Sequence, residues 1–201
     1  MATPKFSVPD TMRALEFEKP GLSELHVVEK RPVPKQGSSH AFPEELQPVL
    51  IKVEYAALNP VDAFVAQLGF AVPGLPHTVG ADAAGTIVQA SESQAWQVGQ
   101  EVWACTGVPR AGGGTLAMFC SAPSGAIGAV PECMSMQAAS TLPVGSKTAA
   151  AALWHHLGLS WEYKSENEGV AVLVYGHHTR CLHIGGLLCG AAARDSNHAC
   201  S

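Results

Sequence analysis

The segment from Val49 to Asp62, VLIKVEYAALNPVD, predicts the central strand of the fold and the turn that ends it. Positions 49, 51, 53 and 55 are Val, Ile, Val and Tyr, and they alternate with a side that carries lysine and glutamate. A period of two is typical of a β-strand. Pro60 has no N–H for a sheet ladder, so the strand is expected to end there. A short helix is predicted over Val61–Leu68.

Short strands joined by Gly/Pro turns surround this segment on both sides. Many short strands at close spacing favour a compact β-barrel-like domain. The predicted strands lie at residues 12–17, 25–28, 85–88, 101–104 and 115–121.

The pattern changes in the last third of the chain. Residues 135–142 and 145–157 are rich in alanine and predict helices. Val170–Tyr175 is a continuous apolar run that ends at Gly176, which is typical of a buried parallel strand. Helix, buried strand and glycine in this order predict the start of a nucleotide-binding α/β domain. From residue 177 onward the periodicity is lost.

Composition restricts the class of protein. The chain has 201 residues, a formal charge of −5, and 47% hydrophobic against 14% charged residues. The hydrophobic share supports a packed core and argues against intrinsic disorder. The net negative charge gives the protein no overall positive field that would attract nucleic acid. No apolar run reaches the roughly 20 residues of a membrane helix, and the N-terminus lacks a signal-peptide core. We therefore predict a cytoplasmic protein without membrane or nucleic-acid partners, whose six cysteines are free thiols.

Six motifs occur in an order that resembles the medium-chain dehydrogenase/reductase superfamily. Within it, the chain is most similar to the zinc-independent quinone oxidoreductases and the (trans-acting) enoyl reductases. The resemblance covers about residues 12–176. The motifs are Met12–Leu15 (MRAL), Val49–Val53 (VLIKV), Leu58–Asp62 (LNPVD), Val79–Val88 (VGADAAGTIV), Val98–Val102 (VGQEV) and Ala138–Gly145 (AASTLPVG).

The resemblance implies a mixed α/β protein, with a GroES-like β-barrel domain followed by a Rossmann domain. On that basis we expect residues 1–130 to form the GroES-like catalytic domain. Residues 131–176 would form linking helices and the first strand of a truncated Rossmann domain, and residues 177–201 a divergent tail. Only 25 residues follow Gly176, fewer than the roughly 30 that one βαβ unit requires.

The resemblance also implies site residues and NADPH as the cofactor. Asn59 and Asp62 would line the catalytic cleft, and Thr148 would lie against the nicotinamide. Gly176 and Thr179 match the family's phosphate-binding turn. Two other positions of this sequence differ from that turn, because His177 and Leu182 stand where the family has glycine.

Simpler structural interpretations of the same residues remain open. Asn59-Pro60 is an ordinary turn pair, Asp62 could cap the helix that follows, and Thr148 could be a packed helix residue.

No metal is expected in the β domain. Zinc-dependent relatives place a cysteine where Asn59 stands and a His-Glu pair where Ala81 and Asp82 stand, and neither asparagine nor alanine is a zinc ligand. A weaker alternative is a metal site in the tail, formed by His177, His178, Cys181 and His183.

Three functions therefore compete. The first is NADPH-dependent reduction of an activated C=C bond in a small molecule (an enone, a quinone or an enoyl thioester), impaired by truncation. The second is a non-catalytic GroES-like fragment that binds no dinucleotide. The third is an interaction module that associates with a full-length relative.

Overall fold

The structure is a computed structural model and describes residues 6–35, 47–91, 95–106, 114–161 and 164–173. The chain divides into two compact units, residues 1–143 and 144–201.

The first unit is built almost entirely from short strands. The helices are α1 (Pro60–Leu68) and α2 (Met136–Ala139), and the strands are β1 (Thr11–Phe17), β2 (His26–Pro32), β3 (Pro48–Ala57), β4 (His77–Thr78), β5 (Asp82–Gln89), β6 (Glu101–Cys105), β7 (Phe119–Pro123) and β8 (Ile127–Ala129). Short 3₁₀ turns cover Leu22–Glu24 and Ser124–Ala126.

The strands form two antiparallel sheets, one of three strands in the order β2-β1-β4 and one of five in the order β7-β3-β5-β6-β8. Residues 115–118 connect the two sheets. The Leu116 carbonyl accepts from the Leu15 N–H of β1 at 2.8 Å, and the Met118 carbonyl accepts from the Val53 N–H of β3 at 2.9 Å. The sheets therefore curl into a half-barrel, which confirms the predicted β-barrel-like domain.

Strand β3 is buried on both faces in its first half. Val49 and Ile51 belong to the core cluster within the five-stranded sheet. Leu50, on the opposite face, packs in a second cluster that includes Met12 and Phe119. The period of two in β3 was predicted correctly. The side expected to carry lysine and glutamate begins, however, with the apolar Leu50 and becomes charged only at Lys52.

Two strands of the structure differ from the prediction. Strand β4 was not predicted, because two residues carry no periodicity. The predicted strand over residues 115–121 joins the five-stranded sheet only from Phe119, since the residues before it pass between the sheets with a single bridge, Ala14 to Ala117.

The edge of the three-stranded sheet contains a buried histidine. His77 is 8% exposed, and its ring packs edge-on against Phe17 with centroids 5.8 Å apart. Arg31 lies 3.0 Å from a Glu16 carboxylate oxygen and donates to the Pro76 carbonyl at 3.1 Å. Burial, and next the charge of Arg31, lower the pKa of His77 below its ordinary 6.5.

This lowered pKa makes stability sensitive to acid. Below pH 6.5 the unfolded chain binds a proton at His77 that the folded chain resists, so the free energy of unfolding should fall as pH falls, by up to about 1.4 kcal/mol per pH unit. Denaturant titrations between pH 7.5 and 5.5 measure this loss. His77→Phe keeps the ring contact and should show a flatter pH dependence, whereas the exposed control His26→Gln should follow wild type. Equal slopes for His77→Phe and wild type would contradict the assignment.

The second unit begins within helix α3 (Pro143–Ala150), which continues as a π-helical segment, Ala151–His156. Gly158 follows at φ +69°, the left-handed conformation expected of a residue just beyond a helix end. A 3₁₀ turn covers Lys164–Asn167. Trp154 and Trp161 pack edge-to-face at 4.5 Å.

The predicted buried strand over Val170–Tyr175 is not formed in its described part. Residues 170–173 carry no strand pairing, and Val170 and Leu173 are 53% and 90% exposed. A parallel strand needs a neighbouring strand to satisfy its backbone N–H and C=O groups. The described residues of the second unit contain no such neighbour, so the apolar run alone does not produce a strand.

The described cysteines divide into two kinds. Cys105 and Cys120 are buried free thiols, and burial raises the pKa of Cys120 to about 12. Cys133 is disulfide-bonded, so the free-thiol prediction is wrong for that residue.

Within the part of the chain that the structure describes, no helix has the length and apolar character needed to cross a membrane.

Candidate functional site

Asn59 lies where strand β3 gives way to helix α1. Its backbone is extended, at φ −123° and ψ 155°, and it is the N-cap of the helix. Pro60 follows at the first helical position, where its fixed φ suits a helix and no N–H is missed. Asn59 and Asp62 form a capping box, in which the Asn59 N–H donates to the Asp62 Oδ2 at 2.7 Å. The interpretation of Asp62 as a helix cap is therefore confirmed.

Asp62 also connects the helix to the residue before β5. Its carboxylate accepts a hydrogen bond from the backbone N–H of Ala81 in addition to that of Asn59. Burial raises the pKa of Asp62, and the two N–H donors oppose that shift. Asp62 thus fixes the start of α1 against the entrance of β5.

The Asn59 side chain makes the second connection between these elements. Its Nδ2 donates to the Asp82 Oδ2 at 2.8 Å, in a buried contact. Asp82 is the first residue of β5 and has no exposed surface, whereas Asn59 is 9% exposed. The structure therefore brings Asn59, Asp62 and Asp82 into one buried polar cluster.

A tight backbone approach before β5 sets the position of this cluster. Gly80 has φ +107°, and a β-carbon there would overlap the Thr115 hydroxyl. The Thr106 N–H donates to the Ala81 carbonyl at 2.9 Å. Glycine at position 80 thus allows Thr115 to pack closely against the chain that leads into Asp82.

Asp82 was not among the site residues predicted from the sequence. The available signal was the family resemblance, which aligns Ala81 and Asp82 with the His-Glu pair of zinc-dependent relatives. Asp82 keeps a carboxylate at the position of that glutamate. Its carboxylate accepts a hydrogen bond from Asn59, the residue that stands in place of the cysteine.

Of the other predicted site residues, the structure describes only Thr148. Thr148 is an exposed residue of helix α3 in the second unit, so the alternative of a packed helix residue is wrong for it. Gly176 and Thr179 lie outside the described residues, as do His177, His178, Cys181 and His183 of the proposed tail metal site. Their roles stay predictions.

The donor set of the cluster suits hydrogen bonding better than metal coordination. Asn59 directs its amide nitrogen at Asp82, and Ala81 contributes no donor side chain. Among the described residues, no group of three or more His, Cys, Asp or Glu side chains could hold a metal ion. The prediction of a zinc-independent site rests on these residue types and stays a prediction.

Residues 46–146 match the alcohol dehydrogenase GroES-like domain family, a stretch that contains β3, α1, β5 and the whole polar cluster. The chain belongs to this family. The GroES-like domain was the expected fold of the first part of the chain, and the resemblance to medium-chain dehydrogenases/reductases is confirmed.

Relatives with established names support the same placement. The chain is 31% identical to the trans-enoyl reductase opdC of Penicillium oxalicum over 86% of this chain and 47% of that protein. It is 29% identical to the quinone oxidoreductase of Mus musculus over 82% of this chain and 44% of that protein. The chain thus spans about half the length of the curated relatives it matches.

A solved structure shows the same architecture. An alcohol dehydrogenase superfamily protein from Novosphingobium aromaticivorans superposes with a TM-score of 0.72 at 26% identity, over 90% of this chain and 51% of that one. The GroES-like domain of this chain thus also occurs in proteins that are named reductases and oxidoreductases.

Proposed function

We propose that the GroES-like unit is the substrate-binding half of a cytoplasmic, zinc-independent reductase. The reaction is the NADPH-dependent reduction of a C=C bond activated by a carbonyl group, in an enone, a quinone or an enoyl thioester. One observation carries the proposal: the buried hydrogen bond from Asn59 to Asp82 occupies the positions at which zinc-dependent relatives place metal ligands.

A site of this kind needs to stabilise negative charge on an oxygen atom. When a hydride adds to the β-carbon, the π electrons of the C=C bond move toward the carbonyl, and an enolate develops until the α-carbon takes a proton. Bound NADPH supplies that hydride. A positioned amide N–H, such as that of Asn59, can stabilise the enolate oxygen where a Lewis acid is not used. Asp62 contributes by fixing the backbone that carries Asn59.

The residues implied in cofactor binding fit the proposal only in part. Thr148 is exposed on α3 and can present its hydroxyl to the nicotinamide. In the phosphate-binding turn, however, His177 and Leu182 stand at positions where glycine permits close approach of the backbone to pyrophosphate. We therefore expect weak binding of NADPH by this chain.

This departure supports a second candidate, a GroES-like fragment that binds no dinucleotide. The described residues 170–173, which form no strand, favour it as well. Such a fragment would act by association with a full-length relative.

Fluorescence titration with NADPH distinguishes the two candidates. For the reductase we expect weak but saturable binding that tightens at least tenfold in the variant His177→Gly/Leu182→Gly, because the phosphate can then approach the backbone. The rate of NADPH oxidation with 2-cyclohexenone as acceptor should likewise be higher for the glycine variant than for wild type. Thr148→Val, which keeps the shape of the side chain, should weaken binding. Absence of binding in the wild type and in the glycine variant would contradict the reductase and favour the fragment.

A further inference from the structure

We infer that Asp82 is a positioning residue: its buried carboxylate holds the Asn59 carboxamide with the nitrogen inward, so that the second amide N–H serves as a preset donor to a substrate carbonyl oxygen. This inference rests on the proposed function and assigns the recognition of its conjugated carbonyl oxygen to the pair Asn59 and Asp82.

The position of Asp82 is fixed by the sheet. It begins β5 between two neighbouring strands, where it pairs with Ala57 of β3 and with Cys105 of β6. Its side chain is fully buried, and its Oδ2 lies 2.8 Å from the Asn59 Nδ2. A group held on both sides by backbone pairing can hold its partner in a single orientation.

The chemistry of the two groups determines which end of the amide faces inward. The Asp82 Oδ2 accepts from the Asn59 Nδ2 at 2.8 Å, so the Asn59 carboxamide directs its nitrogen, and not its oxygen, toward Asp82. A carboxylate also makes a stronger hydrogen bond than a neutral acceptor does, which disfavours the flipped amide. The pair therefore selects one of the two amide orientations.

The amide then keeps one donor for a ligand. A carboxamide has two N–H groups, and one of them is used by Asp82. Within the described part of the chain, the other has no hydrogen-bond partner. Asn59 retains 9% exposure whereas Asp82 has none, so Asn59 is the residue of the pair that a ligand can contact.

The backbone of Asn59 is fixed as well. Its N–H donates to Asp62 at 2.7 Å, and Asp62 is itself tied to Ala81. Carboxylates from α1 and β5 thus hold the backbone and the side chain of Asn59 separately. Preorganisation of this kind is what a donor to a developing enolate requires.

The reciprocal exchange Asn59→Asp/Asp82→Asn separates positioning from a structural role. It keeps one amide, one carboxylate and a hydrogen bond between them, but leaves no side-chain N–H at position 59. We expect a denaturation midpoint close to that of wild type and loss of 2-cyclohexenone binding, followed by NMR through ¹⁵N-labelled side-chain amides. Asp82→Asn alone, which permits both amide orientations, should weaken binding at least tenfold. Asp10→Asn, at an exposed aspartate, is the matched control and should bind as wild type does.

A measurement on the wild-type protein needs no variant to fold. The two Asn59 side-chain protons should exchange with solvent at different rates, with the proton that faces Asp82 slower by tenfold or more, and the faster one should shift on addition of 2-cyclohexenone. Equal exchange rates, no shift with the enone, or wild-type binding by the reciprocal exchange would each overturn the inference. These readouts use neither NADPH nor turnover, so a protein that binds the enone as described but never oxidises NADPH contradicts the proposed function and leaves the inference standing.

Discussion

Replacement of Gly85 by alanine is expected to prevent the first unit from folding stably. Gly85 lies in β5 opposite Val53 of β3. A β-carbon there would lie 3.0 Å from the Lys52 carbonyl carbon and 3.1 Å from the Val53 Cα, and would overlap the Lys52 carbonyl oxygen. These are backbone atoms of a paired strand, so no side chain can turn away to relieve the overlap. We expect a loss of at least about 3 kcal/mol, the upper end of the usual range for overpacking.

That loss is a large part of the 5–15 kcal/mol that typical domains possess. Chemical denaturation followed by circular dichroism measures it, or soluble expression if the variant does not fold. Gly74→Ala is the matched control, since a β-carbon there meets nothing within 4 Å. A Gly85→Ala protein within 0.5 kcal/mol of wild type would show that the register between β3 and β5 is not as described.

Phe17→Ala is expected to cost about 3–5 kcal/mol, the range for removal of a buried aromatic side chain. Phe17 is fully buried at the end of β1, in a cluster with Val65 and Ala66 of α1. It also packs against His77, which pairs with it across β1 and β4. The cavity would therefore loosen α1 and the edge strand together.

Urea unfolding of Phe17→Ala beside Phe70→Ala tests this expectation. Phe70 is 62% exposed, so its truncation should change the free energy of unfolding by no more than about 0.5 kcal/mol. Similar losses for the two variants would be inconsistent with the described core.

The strands with clear periodicity were predictable from the sequence, and the connections between them were not. Strand β3 was found because a period of two over Val49–Tyr55 reflects a physical property of a strand, its alternating faces. The crossing of residues 115–118 depends on hydrogen bonds to Leu15 and Val53, which are distant in the chain. No local pattern encodes such contacts. The apolar run at residues 170–173 predicted a strand that is not formed, because apolar character alone does not supply a pairing partner.

The candidate site was predictable to a similar extent. Asn59 and Asp62 lie three residues apart, and their capping box follows from local chain geometry. Asp82 lies 23 residues beyond Asn59, and only the folded sheet brings the two side chains to 2.8 Å. Thr148 lies on a helix of the second unit, and its role stays a prediction.

The double burial of β3 has a consequence for cooperativity. Val49 and Ile51 belong to one core cluster while Leu50, between them, belongs to another. Neither cluster can lose its packing while the strand stays in place for the other, so the two should open in a single step and not as separate local events. These two clusters of the first unit should therefore share one melting transition, although they lie on opposite faces of β3.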